Sequence, residues 1–372
     1  MSTPTAHRDE RAAERTLQLV VQAIGREGIR RFLAFRHRLY AGDPGYSTTL
    51  EFAVESVLGQ TTRFTRSCFV RPLLALEDGQ VVAQCVLVHD PALPLLQVAF
   101  FDALPERQSH VDALLEEARA EARRRRLDRI VVGLNGHLSL GVGILTEGFA
   151  PASFDSSWNK PWYAEYFVGL PRAGLTAFGG TVPAVLDRVR SLGTPDAGIR
   201  VRPVDLRDWD AELETFRTLC DATLGTTSLY APTQPGHFAE LIGDLRPFLR
   251  PEHLLFAERD GHPVGFCFWH PDYNRMLPYG RRLGVASIAW RFALRRDRVR
   301  TVILNAIGVL PAVRGSATHA LLARVGEAVD GRYDDYETCF VWDDNVASLG
   351  INRYLGNDVV RRFAVWFDEV AP

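Results

Sequence analysis

The chain repeats itself. Residues 73–90 read LLALEDGQVVAQCVLVHD, and residues 254–272 read LLFAERDGHPVGFCFWHPD. Two leucines, an acidic residue, Asp-Gly, a valine, a cysteine and a histidine recur in the same order. Each copy is a pair of apolar runs joined at Asp78-Gly79 or Asp260-Gly261, a strong hairpin signal because Asp-Gly accommodates two positive φ angles in succession. A second match follows: ALLEEARAEARRRRLDRIVV (113–132) parallels ALLARVGEAVDGRYDDYETCFV (320–341). Each is an amphipathic helix running into an apolar strand, then an asparagine (Asn135 or Asn345), then a short helical stretch ending at Gly148 or Gly356. VAFFD (98–102) and VRTVILNAIGV (299–309) supply a further strand after each hairpin. Repeats this long mean duplicated domains, since a solenoid has a much shorter period.

The chain's 372 residues suit two domains of ordinary size. The predicted division is a flexible N-terminal segment and helix over 1–28, a first domain over 29–170, a linker over 171–198 and a second domain over 199–372. The linker is read from PRAGLTAFGGTVPA and SLGTPDAG, rich in small residues and proline. Met1 to Glu14 is polar and charged, and no downstream run is long enough to span a bilayer, so a cytoplasmic protein without membrane partners is expected. The five cysteines are far apart with no C-x-x-C pair, which argues against a zinc site or other metal centre and against a disulfide framework. Cys85, Cys267 and Cys339 lie in apolar runs and read as small core residues. Net charge is −2, so no overall basic field marks a nucleic-acid binder. Lys160 is the only lysine; an anion site must therefore use guanidinium groups, backbone amides or helix N-termini.

One segment has the makings of such a site. Ile303–Val309 is an apolar strand, Pro311 closes it, and Arg314-Gly315-Ser316-Ala317-Thr318-His319 reads as a turn into a helix beginning near His319. Small residues there leave amides at a helix N-terminus facing outward, a cradle for a pyrophosphate. The matching stretch of the first half, ALPERQSHVDALL (103–115), has no glycine, so no donor site is expected there.

The order of elements, with FLAFRHRLYAGDP (32–44), GLNGHLSLGVGILTEGFAP (133–151), WNKPWY (158–163), IGVLPAVRGSATHALL (307–322), VWDDN (341–345) and RYLG (353–356), resembles the GNAT acyltransferase superfamily. It resembles in particular bacterial proteins with two fused GNAT-like halves. The resemblance covers about Ile29 to the end. It implies an α/β (α+β) chain of tandem folds, each a mixed, mostly antiparallel sheet flanked by helices. It implies an N-acyltransferase moving an acyl group from a coenzyme A thioester, as co-substrate and not a tightly bound cofactor, to a small-molecule amine in specialised metabolism. Val309, Arg314, Gly315, Ser316, Ala317, Thr318, His319 and Asn345 would hold the donor, with the Val309 N–H on the acyl carbonyl. The pattern departs from the family at Ala317 and His319, where small glycine-type residues are preferred.

Acyl transfer to an amine needs a base, an oxyanion donor and an acid for the leaving group. His270, whose type titrates near neutrality, is the best candidate base, with Asp272 beside it; His89 and Asp90 hold the matching place in the first half. Asn305, a polar residue inside an apolar strand, is either bonded to neighbours or facing a site. The family's usual acid tyrosine is replaced by Asn352; Tyr354, two residues on and about 200° around a helix, is the substitute. Asn135, His137, Trp158, Trp162, Trp342 and Asp344 are assigned to the acceptor, with interdomain packing the competing account of the tryptophans. Arginines 119–129 and 281–300 form two clusters, read as solvated faces or as an RNA-phosphate footprint. The alternatives are therefore aminoacyl transfer from aminoacyl-tRNA on the same fold and a non-catalytic ligand-binding tandem protein. Monomer and homodimer are equally compatible with the sequence.

Overall fold

The computed structural model describes residues 17–22 and 24–371. Among these described residues there are fourteen strands: β1 (Leu17–Val21), β2 (Phe69–Glu77), β3 (Gln80–His89), β4 (Leu96–Ala103), β5 (Arg129–Val132), β6 (Ile144–Glu147), β7 (Arg172–Thr181), β8 (Arg200–Pro203), β9 (Leu254–Arg259), β10 (His262–Pro271), β11 (Thr301–Val309), β12 (Asp335–Thr338), β13 (Val341–Trp342) and β14 (Asp358–Glu369). Their helices are α1 (Arg26–Leu39), α2 (Glu51–Gly59), α3 (Arg63–Ser67), α4 (Gln108–Arg124), α5 (Val182–Ser191), α6 (Trp209–Leu224), α7 (Pro235–Ile242), α8 (Val285–Arg295), α9 (Arg314–Val329) and α10 (Val346–Leu355). Both predicted hairpins form. Asp78 and Gly79 have φ of 50° and 79°, and Asp260 and Gly261 have 51° and 77°, the double left-handed step of a tight hairpin turn.

The strands make one continuous sheet in the order β1-β2-β3-β4-β5-β14-β7-β12-β11-β10-β9-β8. The two halves trade their closing strands. β14, the last strand of the chain, pairs with β5 and β6 of the first half. β7, which ends the first half, pairs with β12 and β13 of the second. β7 and β14 also pair with each other, antiparallel from Asp358↔Gly179 to Trp366↔Arg172. Neither sheet closes without the other half's strand. Phe363, Val365 and Trp366 on β14 are 5%, 0% and 3% exposed; burying such side chains stabilises by about 1.5–3 kcal/mol each.

Three expectations are corrected here. The segment 171–198 is a strand and a helix, not a linker. Its small residues permit close approach: a Cβ on Gly174 would lie 2.0 Å from Asp343 Oδ2, and one on Gly179 would lie 3.0 Å from the Tyr336 carbonyl oxygen. The stretch before Gly148, read as helical, is a 3-10 turn and β6. Gly133, Gly136, Gly141 and Gly143 all have φ between 83° and 109°, which no helix can hold. At the N-terminus residues 1–16 lie outside the described residues, and Leu17–Val21 is a strand paired to β2.

Polar contacts reinforce the exchange. Arg361 on β14, 3% exposed, pairs with Glu337 on β12 and donates to the Pro151 carbonyl at 2.9 Å. Because the halves share strands, thermal unfolding should show a single cooperative transition. Gly179→Val should lower stability by about 1–3 kcal/mol through overpacking. Calorimetry checks both.

Candidate active site

Parallel pairing opens the site. In each half two parallel strands pair for a few residues and then part. β4 and β5 pair from Leu96↔Ile130 to Val98↔Val132; β11 and β12 pair from Thr301↔Asp335 to Leu304↔Thr338. Beyond those points β4 continues over 99–103 and β11 over 305–309, leaving a wedge between strands.

The first wedge is filled by its own side chains. Asn135 Oδ1 accepts the Phe100 N–H at 2.8 Å, and the Tyr163 hydroxyl accepts the Ala103 N–H at 3.2 Å. Trp162 Nε1 donates to the Ala103 carbonyl at 3.0 Å. The Tyr166 hydroxyl accepts the Arg107 N–H at 3.1 Å, at the start of α4. Beneath them Asp102, fully buried, meets Arg36 at 3.2 Å and the hydroxyls of Tyr40 and Tyr163, each at 3.2 Å. Burial pushes the Asp102 carboxyl up even against the opposing pull of Arg36. A void of about 70 Å³ remains. Asn135, Trp158 and Trp162 are thus packing residues of the first half. Trp158 covers Gly45, where a Cβ would lie 2.3 Å from its ring, and donates to the Ala150 carbonyl at 3.2 Å.

The second wedge is open. Among the described residues no side chain bonds to the backbone of 305–309 on the side facing the wedge. A cavity of about 890 Å³ passes through it. On one face of the sheet it is lined by Leu186 of α5, Val325 of α9 and Leu355 of α10; on the other by Phe216, Phe268 and Tyr273. Contact with both faces is possible because the sheet is interrupted there. The Leu310 N–H donates back to Val264 at 2.9 Å, so strand alternation turns the Val309 N–H the other way, toward the wedge.

α9 starts at Arg314, five residues before the expected His319, because Pro311 opens a 3-10 turn that runs straight into it. Residues 314–319 are therefore the first turns of the helix. Val313 at the N-cap has no side-chain acceptor for the first amides. Arg314 and Gly315 are exposed, and nothing lies within 4 Å of where a Gly315 Cβ would be. Ser316 Oγ donates to the Val313 carbonyl at 3.3 Å. Ala317 is fully buried, while Thr318 and His319 are half-buried. None of Val309 and 314–319 lines the cavity, which reaches β11 as far as Ile307.

The wall beside the wedge carries a carboxylate that sequence reasoning missed. Asp155 lines the cavity, and its Oδ2 lies 3.2 Å from His270 Nε2 and 3.4 Å from Asn305 Nδ2. His270 itself is 2% exposed and stands behind Asp155. Its Nδ1 lies 3.0 Å from the Pro271 carbonyl, which requires a proton on Nδ1. Nε2 has no hydrogen-bond partner, so its 3.2 Å approach to Asp155 is a close contact and not a hydrogen bond. No sequence signal marks Asp155: it lies in an irregular turn with φ of 63°, a conformation that aspartate tolerates.

Other candidates fall elsewhere. Asp272 is fully buried and structural: it accepts the Phe154 N–H at 2.8 Å and Arg275 Nε at 2.9 Å. Tyr354 is 47% exposed, its hydroxyl 3.2 Å from Ser191 Oγ, off the cavity; the helical turn from Asn352, which does line it, carries Tyr354 away. Asp344 is exposed and accepts Ser228 Oγ at 3.3 Å. Trp342, His137 and Asn345 do line the cavity, Asn345 also capping α10 through the Ser348 N–H at 3.1 Å. Cys339 lines it too, and burial pushes its thiol to about 12, so it stays protonated and is no nucleophile. Cys85 and Cys267 are fully buried core.

In the first arginine cluster five of the six arginines meet carboxylates. Arg119 meets Asp368 at 2.7 Å, Arg124 and Arg125 meet Glu121 at 2.8 Å, Arg123 meets Glu116 at 3.3 Å and Arg129 meets Glu369 at 2.8 Å. In the second, Arg300 pairs with Asp334 at 2.7 Å and Arg282 with Glu55 at 3.5 Å.

Reciprocally exchanged halves, each with a wedge between parallel strands and a helix starting at its mouth, constitute a tandem GNAT fold. No family model and no curated sequence matches the chain. Solved structures do. A tandem GNAT protein from the clavulanic acid biosynthesis pathway matches with TM-score 0.56 and 16% identity, over 96% of this chain and 99% of that one. A GCN5-related N-acetyltransferase from Sphaerobacter thermophilus matches with TM-score 0.51 and 15% identity, over 95% and 96%. A probable N-acyltransferase from Enterococcus faecalis matches with TM-score 0.53 and 11% identity, over 95% of this chain and 73% of that one. At such identities the likeness is one of fold.

Two buried histidines make stability pH-dependent. Burial lowers His137 to about 4, the Ala231 carbonyl offsetting part of the effect. It lowers His253, which rests edge-on against Trp269, to about 3. Both would titrate near 6.5 in the unfolded chain, so the unfolded state binds more protons between pH 6.5 and 4, and stability rises with pH there. Lowering pH from 7 to 5 should cost roughly 2 kcal/mol per histidine. Denaturant unfolding across this range checks it, and His253→Gln should flatten the slope.

Proposed function

We propose that the protein is an N-acyltransferase that moves an acyl group from a coenzyme A thioester to the amine of a small molecule, with one active site, in the second half. The cavity crossing the sheet at the open wedge carries this reading. It gives a donor and an acceptor separate approaches to one point on β11. The donor's phosphates would rest on the uncapped start of α9, where the helix dipole and the Gly315–Ala317 amides favour an anion. Its acyl arm would lie along the unpaired edge of β11, with the Val309 N–H on the carbonyl oxygen. The filled first wedge, whose helix start is already bonded to Tyr166, supports a first half that binds no donor and instead lends Asp155 to the acceptor side.

In the reaction the acceptor first loses its ammonium proton to solvent and then attacks the thioester carbonyl as the free amine. The Asp155 carboxylate takes, through intervening water, the proton the attacking nitrogen loses, and the Val309 amide bears the oxyanion. The C–S bond then breaks and the thiolate recovers that proton from Asp155, so no separate acid is required. Asn305 positions Asp155. Transfer from aminoacyl-tRNA is not carried forward, because Arg119, Arg123, Arg124, Arg125 and Arg129 already meet neighbouring carboxylates, which weakens one of the two clusters that reading needs.

Asp155→Asn should lower kcat/KM by about 10²–10⁴, the range for loss of a general base, with coenzyme A binding unchanged. Tyr354→Phe should leave kcat within twofold. Gly315→Glu, at a site with open space, should weaken coenzyme A binding at least tenfold without changing the melting temperature. Calorimetric titration and steady-state kinetics with acetyl-CoA check these. If coenzyme A binds neither the unmodified protein nor the variants, the transferase reading fails in favour of a ligand-binding protein.

A further inference from the structure

We infer that the acceptor is a cationic amine carried on an apolar body, most simply an aryl-alkyl one, and not an amino sugar or other polyhydroxylated amine. The inference rests on the transferase reading of the cavity, but it concerns binding and is tested as binding.

A chain of rings surrounds one carboxylate. Phe216 lies 6.0 Å from Phe268, and Phe268 lies 5.6 Å from His270. His270 is packed between Phe154, edge-on at 5.2 Å, and Tyr273, stacked at 6.0 Å. Tyr273 leads on to Phe292 at 5.2 Å, and Phe292 to Phe248 at 4.9 Å. All of these rings except His270 line the cavity, and Asp155 stands in the middle of the run, 3.2 Å from His270 Nε2. An ammonium against Asp155 would have aromatic surface on both sides, where ring quadrupoles add to the carboxylate's attraction.

The charge pattern points the same way. Four carboxylates line the cavity. Glu51 is bonded to His37 and Tyr46, each at 2.9 Å, Glu55 faces Arg282 at 3.5 Å, and Glu240 faces Arg63 at 3.3 Å. Among the described residues Asp155 meets no arginine or lysine, and unlike His37 on Glu51 its neighbour His270 makes no hydrogen bond to it; its one hydrogen bond is from Asn305 at 3.4 Å, so it is the carboxylate with most capacity left for a cationic ligand.

The rings of this run offer little hydrogen bonding: only Tyr273 carries a hydroxyl, and it already donates to the Phe248 carbonyl at 2.8 Å. A sugar's hydroxyls would be stripped of water with few partners in exchange, a penalty that rejects polar ligands strongly. An aryl or alkyl body has none to satisfy, and its burial along the rings is favourable.

The test is calorimetric titration of the full chain, without donor, with phenethylamine, 2-phenylethanol and glucosamine. Phenethylamine should bind at least tenfold more tightly than either. In Asp155→Asn its advantage over 2-phenylethanol should shrink to less than threefold. Glucosamine binding as tightly as phenethylamine, or 2-phenylethanol matching it in the unmodified protein, would overturn the inference. Should Asp155→Asn misfold by circular dichroism, the ligand series on the unmodified protein still decides. Mass spectrometry with acetyl-CoA separates the two claims. Phenethylamine that binds but is never acetylated sinks the transferase reading alone; acetylation of glucosamine but not phenethylamine sinks this one alone.

Discussion

The antiparallel contact between β7 and β14 governs the architecture. Each strand belongs by sequence to one half and by hydrogen bonding to the other. It joins two sheets into one and seats Arg361 beside Glu337. It also delivers α5, the helix that follows β7, onto α9, where Gly326 makes room for Leu186. The second half's cavity is therefore roofed in part by a helix encoded before that half begins.

Duplication produced two equivalent wedges, and the side chains around them decided their fates differently. In the first, the aromatic segment 161–167 folds back over β4 and satisfies its unpaired edge. Three ring-bearing side chains and an asparagine take the bonds that a ligand would otherwise make. In the second, among the described residues no side chain takes those bonds, and the edge of β11 faces open space. The first half has not become idle: the turn just before its aromatic segment carries Asp155 and Phe154 across to the second half's wall.

The sequence made part of this legible. Hairpins at Asp78-Gly79 and Asp260-Gly261 followed from local backbone preference, which acts over a few residues and needs no tertiary context. The strand into helix α9 was legible for the same reason, although Pro311 started the helix earlier than its glycine and serine suggested. Composition misled at 171–198. Small residues and glycines mark flexibility when a segment is solvated, and close packing when it is central; Gly174 and Gly179 are the second kind. His270 drew notice for its own chemistry, whereas the residue that reaches the cavity is its neighbour, Asp155, 115 positions earlier in the numbering.

By itself the sequence determined the duplicated order of elements, the tight turns and the amphipathic helices, because these depend on near neighbours and on the periodicity of apolar side chains. Only the tertiary structure decided which strand completes which sheet, which wedge stays open and which carboxylate faces it. Those outcomes depend on contacts between residues far apart in the chain, whose energies no local pattern records.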